Sequence, residues 1–235
     1  MTHHFKRTIS IHLYKIVLAV LFVSSVLMAI AYWNADPTSK LASILSGMVT
    51  GLIVAFFQYL LSWNEHAEVE AIKTLGVIKI LSHRDDKSYY NNLISRTEKS
   101  IRLLGNTASR FFQDFAHPTR DDSQSLLNAL AKGVRLEILV PAIAQLPRSE
   151  KASAQNARAR INELKTEFPR LVEIREFNTS NAHSILCLDA DCLVGPIFPK
   201  IKSRDSPTIH VHSDSPLVAE YLNYFTELWN ESRSV

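Results

Sequence analysis

His210 and His212 alternate in TIHVHS, a spacing that puts both imidazoles on one face of a strand, where they could share a metal. No third ligand accompanies them, so two solvated histidines are expected, with no metal and no cofactor. Cys187 and Cys192 flank Asp189-Ala190-Asp191 and could oppose each other across a hairpin. Two cysteines make no disulfide framework, and they are expected to be buried free thiols. Asn106 and Thr107 follow a short apolar strand, at the carboxyl end where α/β sheets receive ligands. Lys200, Lys202 and Arg204 alternate on a later loop, a solvated basic segment unless a site gathers them.

The elements that must carry these residues begin with two apolar runs. Residues 41–63, LASILSGMVTGLIVAFFQYLLSW, contain no charge in a chain that is 21% charged. At 1.5 Å per residue such a helix exceeds the roughly 30 Å hydrocarbon core of a bilayer. Ser43, Gly47, Gly51 and Ala55 recur every fourth residue, a ladder that would let a second backbone approach, from the first span or another copy of the chain. An earlier span over about residues 14–33 follows the basic Lys6, Arg7 and Lys15 and ends in Tyr32-Trp33, suited to the headgroup level. Ala29-Ile30-Ala31 would also serve as a signal cleavage site, but the run is long for one, and an uncleaved span is favoured. The connection NADPTSK, turning at Pro37, makes the pair a tight hairpin over residues 1–63. Basic residues flank its two ends, and the connection holds only Lys40. Both termini are therefore expected in the cytoplasm, with the protein in the inner membrane. Unpaired cysteines agree with a reducing compartment.

Residues 64–82 read as a helical stalk with an apolar stripe at Val69, Ile72 and Leu75, and residues 83–235 as an alternating α and β domain. Helices are expected at Asp86–Ser100, with Tyr90, Leu93, Ile94 and Thr97 on one face, and around Phe111, Phe112 and Phe115. Further helices follow at Ser123–Lys132 with Ser123 as N-cap, Ser149–Phe168 and Pro216–Glu231. Strands are expected at Ile101–Gly105, Arg135–Val140, Val172–Phe177 and Thr208–Ser213, with a hairpin at Ser184–Leu188 and Cys192–Val194. That order implies an α/β sheet with helices on both faces.

Four phrases then resemble the single-repeat phospholipase D superfamily: GVIKILSHRDDKSYYNNLISRTEKSIRLLGNT, LLNALAKGVRLEILVP, HSILCLDADCLVGP and SPLVAEYLNYFTELWNES. The likeness runs from about Gly76 to Ser232. The family pattern is His-x-Lys-x-x-x-x-Asp followed by a Gly-Ser-x-Asn-like turn. It implies a histidine that attacks phosphorus, a second histidine that protonates the leaving group, and a lysine on the phosphate oxygens. Here His183 takes the histidine position and Ile185 the lysine position. Asp189 and Asp191 bracket the acid position, which holds Ala190, and Pro196-Ile197-Phe198 follow Gly195. Lys200, Lys202 and Arg204 lie where the phosphate-binding turn would be, and could replace the lysine.

The expectation is therefore a membrane-anchored cytosolic sensing or binding module with a degenerate catalytic motif. Its ligand site would draw on Asn106, Thr107, His183, Lys200, Lys202 and Arg204, for a phosphorylated or nucleotide ligand. A bacterial defence effector has this plan. A membrane-tethered phosphodiesterase or nuclease is the alternative, with His183 catalytic, and a structural anchor for a cytosolic partner a third. A homo-oligomer is expected from the ladder and from the family's pairing of single repeats. The net charge of +3 is too small to require a nucleic-acid partner.

Overall fold

The computed structural model describes residues 2–36, 38–198 and 201–234. By contact the chain forms two units, residues 1–71 and residues 72–235.

In the first unit, α1 (Thr2–Trp33) and α2 (Lys40–Thr74) are joined by a short turn. Asp36 makes that turn: its carboxylate accepts from the Thr38 backbone N–H at 3.0 Å and the Thr38 hydroxyl at 2.8 Å. Pro37, expected to supply the turn, lies outside the described residues. The helices meet through aromatic rings, with Tyr14 stacked on Tyr59 at 4.1 Å and Phe22 against Phe56 at 5.8 Å. Two stretches, Tyr14–Trp33 and Lys40–Ser62, are long and apolar enough to cross a membrane, with mean hydropathy 2.4 and 1.9.

The second unit is a mixed α/β layer structure on an eight-stranded sheet of order β1-β7-β6-β5-β2-β3-β4-β8. The strands are β1 (Val77–Leu81), β2 (Ser100–Leu104), β3 (Arg135–Pro141), β4 (Val172–Phe177), β5 (His183–Leu188), β6 (Asp191–Pro196), β7 (Thr208–His212) and β8 (Arg233–Ser234). Only β2, β3 and β4 are mutually parallel; the other pairings are antiparallel. One face is covered by α3 (Lys87–Arg96), α4 (Ser109–Phe115), α5 (Ser125–Ala131) and α6 (Arg148–Glu167). Their Ile94, Phe112, Leu130 and Ile161 share a core with Ile101, Ile138 and Leu186 of the strands. The opposite face is covered by α7 (Pro216–Glu231), whose Val218 and Phe225 pack with Leu104, Leu139, Ile185 and Val194. Alternate residues of one strand thus enter different cores, as the two-residue pleat requires.

Several local expectations are corrected. The stalk does not reach residue 82: α2 ends at Thr74, and Val77–Leu81 is an edge strand paired with β7. Gly76 makes that break, with φ +72 and a close approach to Ser215, where an added Cβ would stand 2.4 Å from the Ser215 Cβ. Ser123 does not cap α5, which starts at Ser125 after a turn of 3-10 helix. The Ser123 hydroxyl instead accepts from the Lys87 ammonium at 2.8 Å.

The cysteines are not free thiols. Cys187 and Cys192 occupy the same register position of the β5–β6 hairpin and form a disulfide. Register is what the sequence spacing alone left open, and it removes the cysteines as support for a reducing compartment. Intact protein should therefore expose no thiol to maleimide after denaturation without reductant. Cys187→Ser should lower stability by about 2 kcal/mol, since the bridge closes a short loop in the unfolded chain. Two labelled thiols per chain before reduction would contradict the pairing.

Candidate functional site

Strand direction defines the site. β6 runs with β2 because each is antiparallel to β5, and β1 runs with β6 because each is antiparallel to β7. The carboxyl ends of β1, β2, β3, β4 and β6 therefore share one edge with the amino ends of β5 and β7. His183 opens β5 there, opposite Pro196. Asn106 and Thr107 leave β2 two and three residues after Leu104, which pairs with Ile185. These three sequence-derived candidates thus lie at adjacent strand ends.

His183 points to the α7 side. Its ring meets Tyr221 and Tyr224 edge-on, with centroids 5.5 and 5.2 Å away, and its Nδ1 is buried without a hydrogen-bond partner. Burial pushes the Tyr224 hydroxyl pKa up. The His183 backbone N–H donates to Asn181 Oδ1 at 3.1 Å, while Asn181 Nδ2 is unpaired. Ile185, in the lysine position of the family pattern, is 0% exposed within the α7 core. A lysine ammonium placed there would be desolvated among aliphatic side chains.

The acids do not join His183. Asp189 sits at the opposite edge of the sheet, at the far end of β5 in a left-handed turn with φ +51. Its carboxylate accepts backbone N–H bonds from Glu98 at 2.7 Å, Lys99 at 3.1 Å and Ser100 at 2.8 Å, which fastens the hairpin to the start of β2. Asp191 serves a different partner. It accepts from His210 Nε2 at 3.0 Å, and His210 Nδ1 meets the Tyr89 hydroxyl at 2.6 Å. With Nε2–H directed to the carboxylate, Nδ1 is the acceptor for the phenol. His210 is 3% exposed, which corrects the expectation of a solvated histidine; only His212 is exposed. Among the described residues no group of three His, Cys, Asp or Glu side chains converges as metal ligands.

Arg84 is the residue that sequence reasoning missed. It follows β1 at the sheet edge that His183 occupies, and its Nη2 donates to the carbonyls of Pro196 at 2.9 Å and Pro207 at 3.2 Å. Its Nη1 reaches Ser203 Oγ at 3.4 Å, and its backbone N–H donates to the Arg204 carbonyl at 2.8 Å. No carboxylate pairs with it among the described residues, Nε is unpartnered, and burial lowers its pKa. Gly195 makes room for it: a Cβ there would lie 2.7 Å from Nη2 and 2.6 Å from the Pro207 carbonyl. Arg84 lies over the α3 side of β6, whereas His183 faces α7, so the two flank the edge rather than touch. Its signal in the sequence was only its place in HRDD after GVIKIL, legible once that segment is known to be a strand.

The remaining candidates sort as follows. Asn106 Nδ2 donates to Glu150 at 3.4 Å and its buried Oδ1 is unpaired; the Thr107 hydroxyl accepts from the Ser109 N–H. Lys202 and Arg204 are exposed on the loop that Arg84 anchors, with Arg204 3.6 Å from Asp205. Lys200 lies outside the described residues. Of the eight buried side-chain atoms left unpaired among the described residues, six belong to this edge: Arg84 Nε, Asn106 Oδ1, Arg158 Nη1, Asn181 Nδ2, His183 Nδ1 and Ser206 Oγ. Folded proteins pair nearly all such atoms, with protein groups, ordered water or a ligand.

No family model matches the sequence, and no curated protein does. Solved structures similar to the chain include TrmBL2, an archaeal chromatin protein with a novel mode of DNA binding. That match has 12% identity and a TM-score of 0.47, over 81% of this chain and 70% of that one. Nuc from Salmonella typhimurium, a phospholipase D family member, matches at 16% identity and TM-score 0.43, over 67% of this chain and 97% of its own. Phosphatidylserine synthase from Haemophilus influenzae Rd KW20 matches at 11% and 0.44, over 66% of this chain and 39% of that one.

The Tyr89–His210–Asp191 relay gives a pH dependence. Burial depresses the folded pKa of His210 more than the hydrogen bond and charge of Asp191 raise it, and His212 and Lys79 add repulsion. The unfolded chain then takes up the proton first as pH falls through about 6.5, and stability contributed by neutral His210 is lost below that point. Melting temperature should be flat above neutrality and fall on acidification. His210→Gln should flatten this fall and cost about 1–3 kcal/mol at neutral pH. An unchanged acid limb in the variant would show that other groups set it.

Proposed function

We propose that the chain is a membrane-anchored binding or sensing module whose α/β domain receives a phosphorylated ligand, a nucleotide among them, at the edge flanked by Arg84, Asn106 and His183. The observation that carries this reading is the half-buried Arg84 guanidinium, its Nε fully covered, bonded to carbonyls and a hydroxyl, with no carboxylate among the described residues to neutralise it. A half-buried cation without a counter-ion among the described residues, beside exposed Lys202 and Arg204, favours an anion. The phospholipase D-like phrases agree with a phosphate site whose chemistry has been lost, since Ile185 leaves no cation beside His183. Two helices long enough to span a bilayer supply the anchor. The basic flanks orient both termini to the cytoplasm, and the combination of hairpin and sensor domain fits a defence effector. Self-association is part of the proposal: an added Cβ at Gly47 or Gly51 meets nothing within 4 Å, so the ladder is open to a second copy.

The second reading, a phosphodiesterase, draws on the unpartnered Nδ1 of His183 at a strand end. Hydrolysis of bis-p-nitrophenyl phosphate or DNA that disappears in His183→Ala would establish it.

The first reading is tested with the full chain in phosphatidylcholine nanodiscs, titrated with AMP. Arg84→Gln should weaken binding about tenfold or more, as expected when a charge-assisted hydrogen bond is lost. Equal affinity in the variant, at equal melting temperature, would remove Arg84 from the site. Orientation is read separately: an alkaline phosphatase fused after the last residue should be inactive. An active fusion would place the domain in the oxidising compartment that the Cys187–Cys192 disulfide suits.

A further inference from the structure

A second concave surface lies at the opposite edge of the sheet, far from Arg84 and His183. Here β2 and β3 begin, beyond the reach of the α7 core, and the strand faces turn polar. A cavity of about 370 Å³ opens there among Lys99, Ser100, Arg102, Arg135, Glu137 and Arg170. A shallower hollow of about 220 Å³ adjoins it and shares Ser100 and Arg102.

The charge in this cavity is unbalanced. Among the described residues Glu137 is its single carboxylate, and it is already engaged by Arg102 Nε at 2.9 Å. Asp189 lines the neighbouring hollow, but its oxygens are occupied by three backbone N–H groups. Lys99, Arg135 and Arg170 have no ion-pair partner among the described residues. Three unneutralised cations therefore face one concavity, whose walls concentrate the positive field. A volume near 370 Å³ is in the range of small-molecule sites and too confined for a duplex. Two of the cations are guanidiniums, which suit the paired oxygens of phosphoryl groups.

We propose that this cavity is a second anion site, for a small molecule or headgroup carrying two or more linked phosphoryl groups. A single phosphate would leave at least one of the three cations unmatched. Arg135 and Arg170 clamp the outer phosphoryl group, Lys99 supplies a point charge, and the Arg102–Glu137 pair forms the inner wall. This site is independent of the edge proposed above and does not rest on that reading.

The test uses the full chain in phosphatidylcholine nanodiscs, titrated calorimetrically with tripolyphosphate. Binding should weaken about tenfold or more in Arg135→Gln/Arg170→Gln, as charge-assisted bonds are removed, with the melting temperature unchanged because both side chains are exposed. Arg84→Gln should leave this binding intact, which separates the two sites. Arg96→Gln/Arg120→Gln removes the same charge from exposed positions elsewhere and should also leave it intact. A lipid arm replaces tripolyphosphate with a bis-phosphorylated inositol lipid in the disc. Thermal stabilisation that is lost in Arg135→Gln/Arg170→Gln supports the site with a headgroup as its source, whereas binding of tripolyphosphate supports a soluble one. The proposal is overturned if neither probe binds, if binding survives in Arg135→Gln/Arg170→Gln, or if the Arg96/Arg120 control weakens it equally.

Discussion

Strand β5 is enclosed on both faces, and the rest of the domain is arranged around that constraint. Ile185 and Cys187 project into the layer under α7, while Leu186 and Leu188 project into the layer under α3 to α6. A strand with apolar neighbours on both sides has no middle position where a charge can be kept at acceptable cost. Chemistry is pushed to its two ends. His183 and Asp189, six residues apart, consequently lie at opposite edges of the sheet, about 20 Å apart at strand rise.

The two edges differ in how they handle charge. At the edge of His183 a cation is half-buried and held by carbonyl oxygens, and unpaired polar atoms collect around it. At the edge of Asp189 the carboxylate is saturated by main-chain donors, and the cations stand in an open hollow. A partly desolvated charge without a counter-ion is unfavourable unless polar contacts offset it. Arg84 is offset by Pro196, Pro207 and Ser203, and these contacts also fix the loop that carries Lys202 and Arg204. The loop that would present cations to a ligand is thus anchored by one.

Between the edges, the Tyr89–His210–Asp191 relay bolts α3 to β6 and β7. A neutral histidine with both nitrogens engaged satisfies three polar groups at once, which is how an imidazole can be kept in this layer. Lys79 caps the assembly from β1, 4.4 Å from the Tyr89 ring centroid.

The sequence by itself determined the apolar hairpin, the alternation of helices and strands, and those elements whose ends carry local signals. α7 spans Pro216–Glu231 as read, because Ser215 caps it, Pro216 suits the first turn, and its aromatic stripe has helical spacing. β4 spans Val172–Phe177 as read, bounded by Pro169 and a polar loop. Short apolar runs are locally ambiguous, so GVIKIL reads as stalk from the sequence, and only its pairing with β7 makes it a strand. What tertiary structure decided is everything that depends on register and direction. It paired Cys187 with Cys192, buried His210 between two partners, and carried Asp189 away from His183. It also set Arg84, 99 residues earlier in the chain than His183, at the same sheet edge. Spacing along a chain records which residues share a face of one element, whereas hydrogen bonds between strands decide which ends of different elements meet.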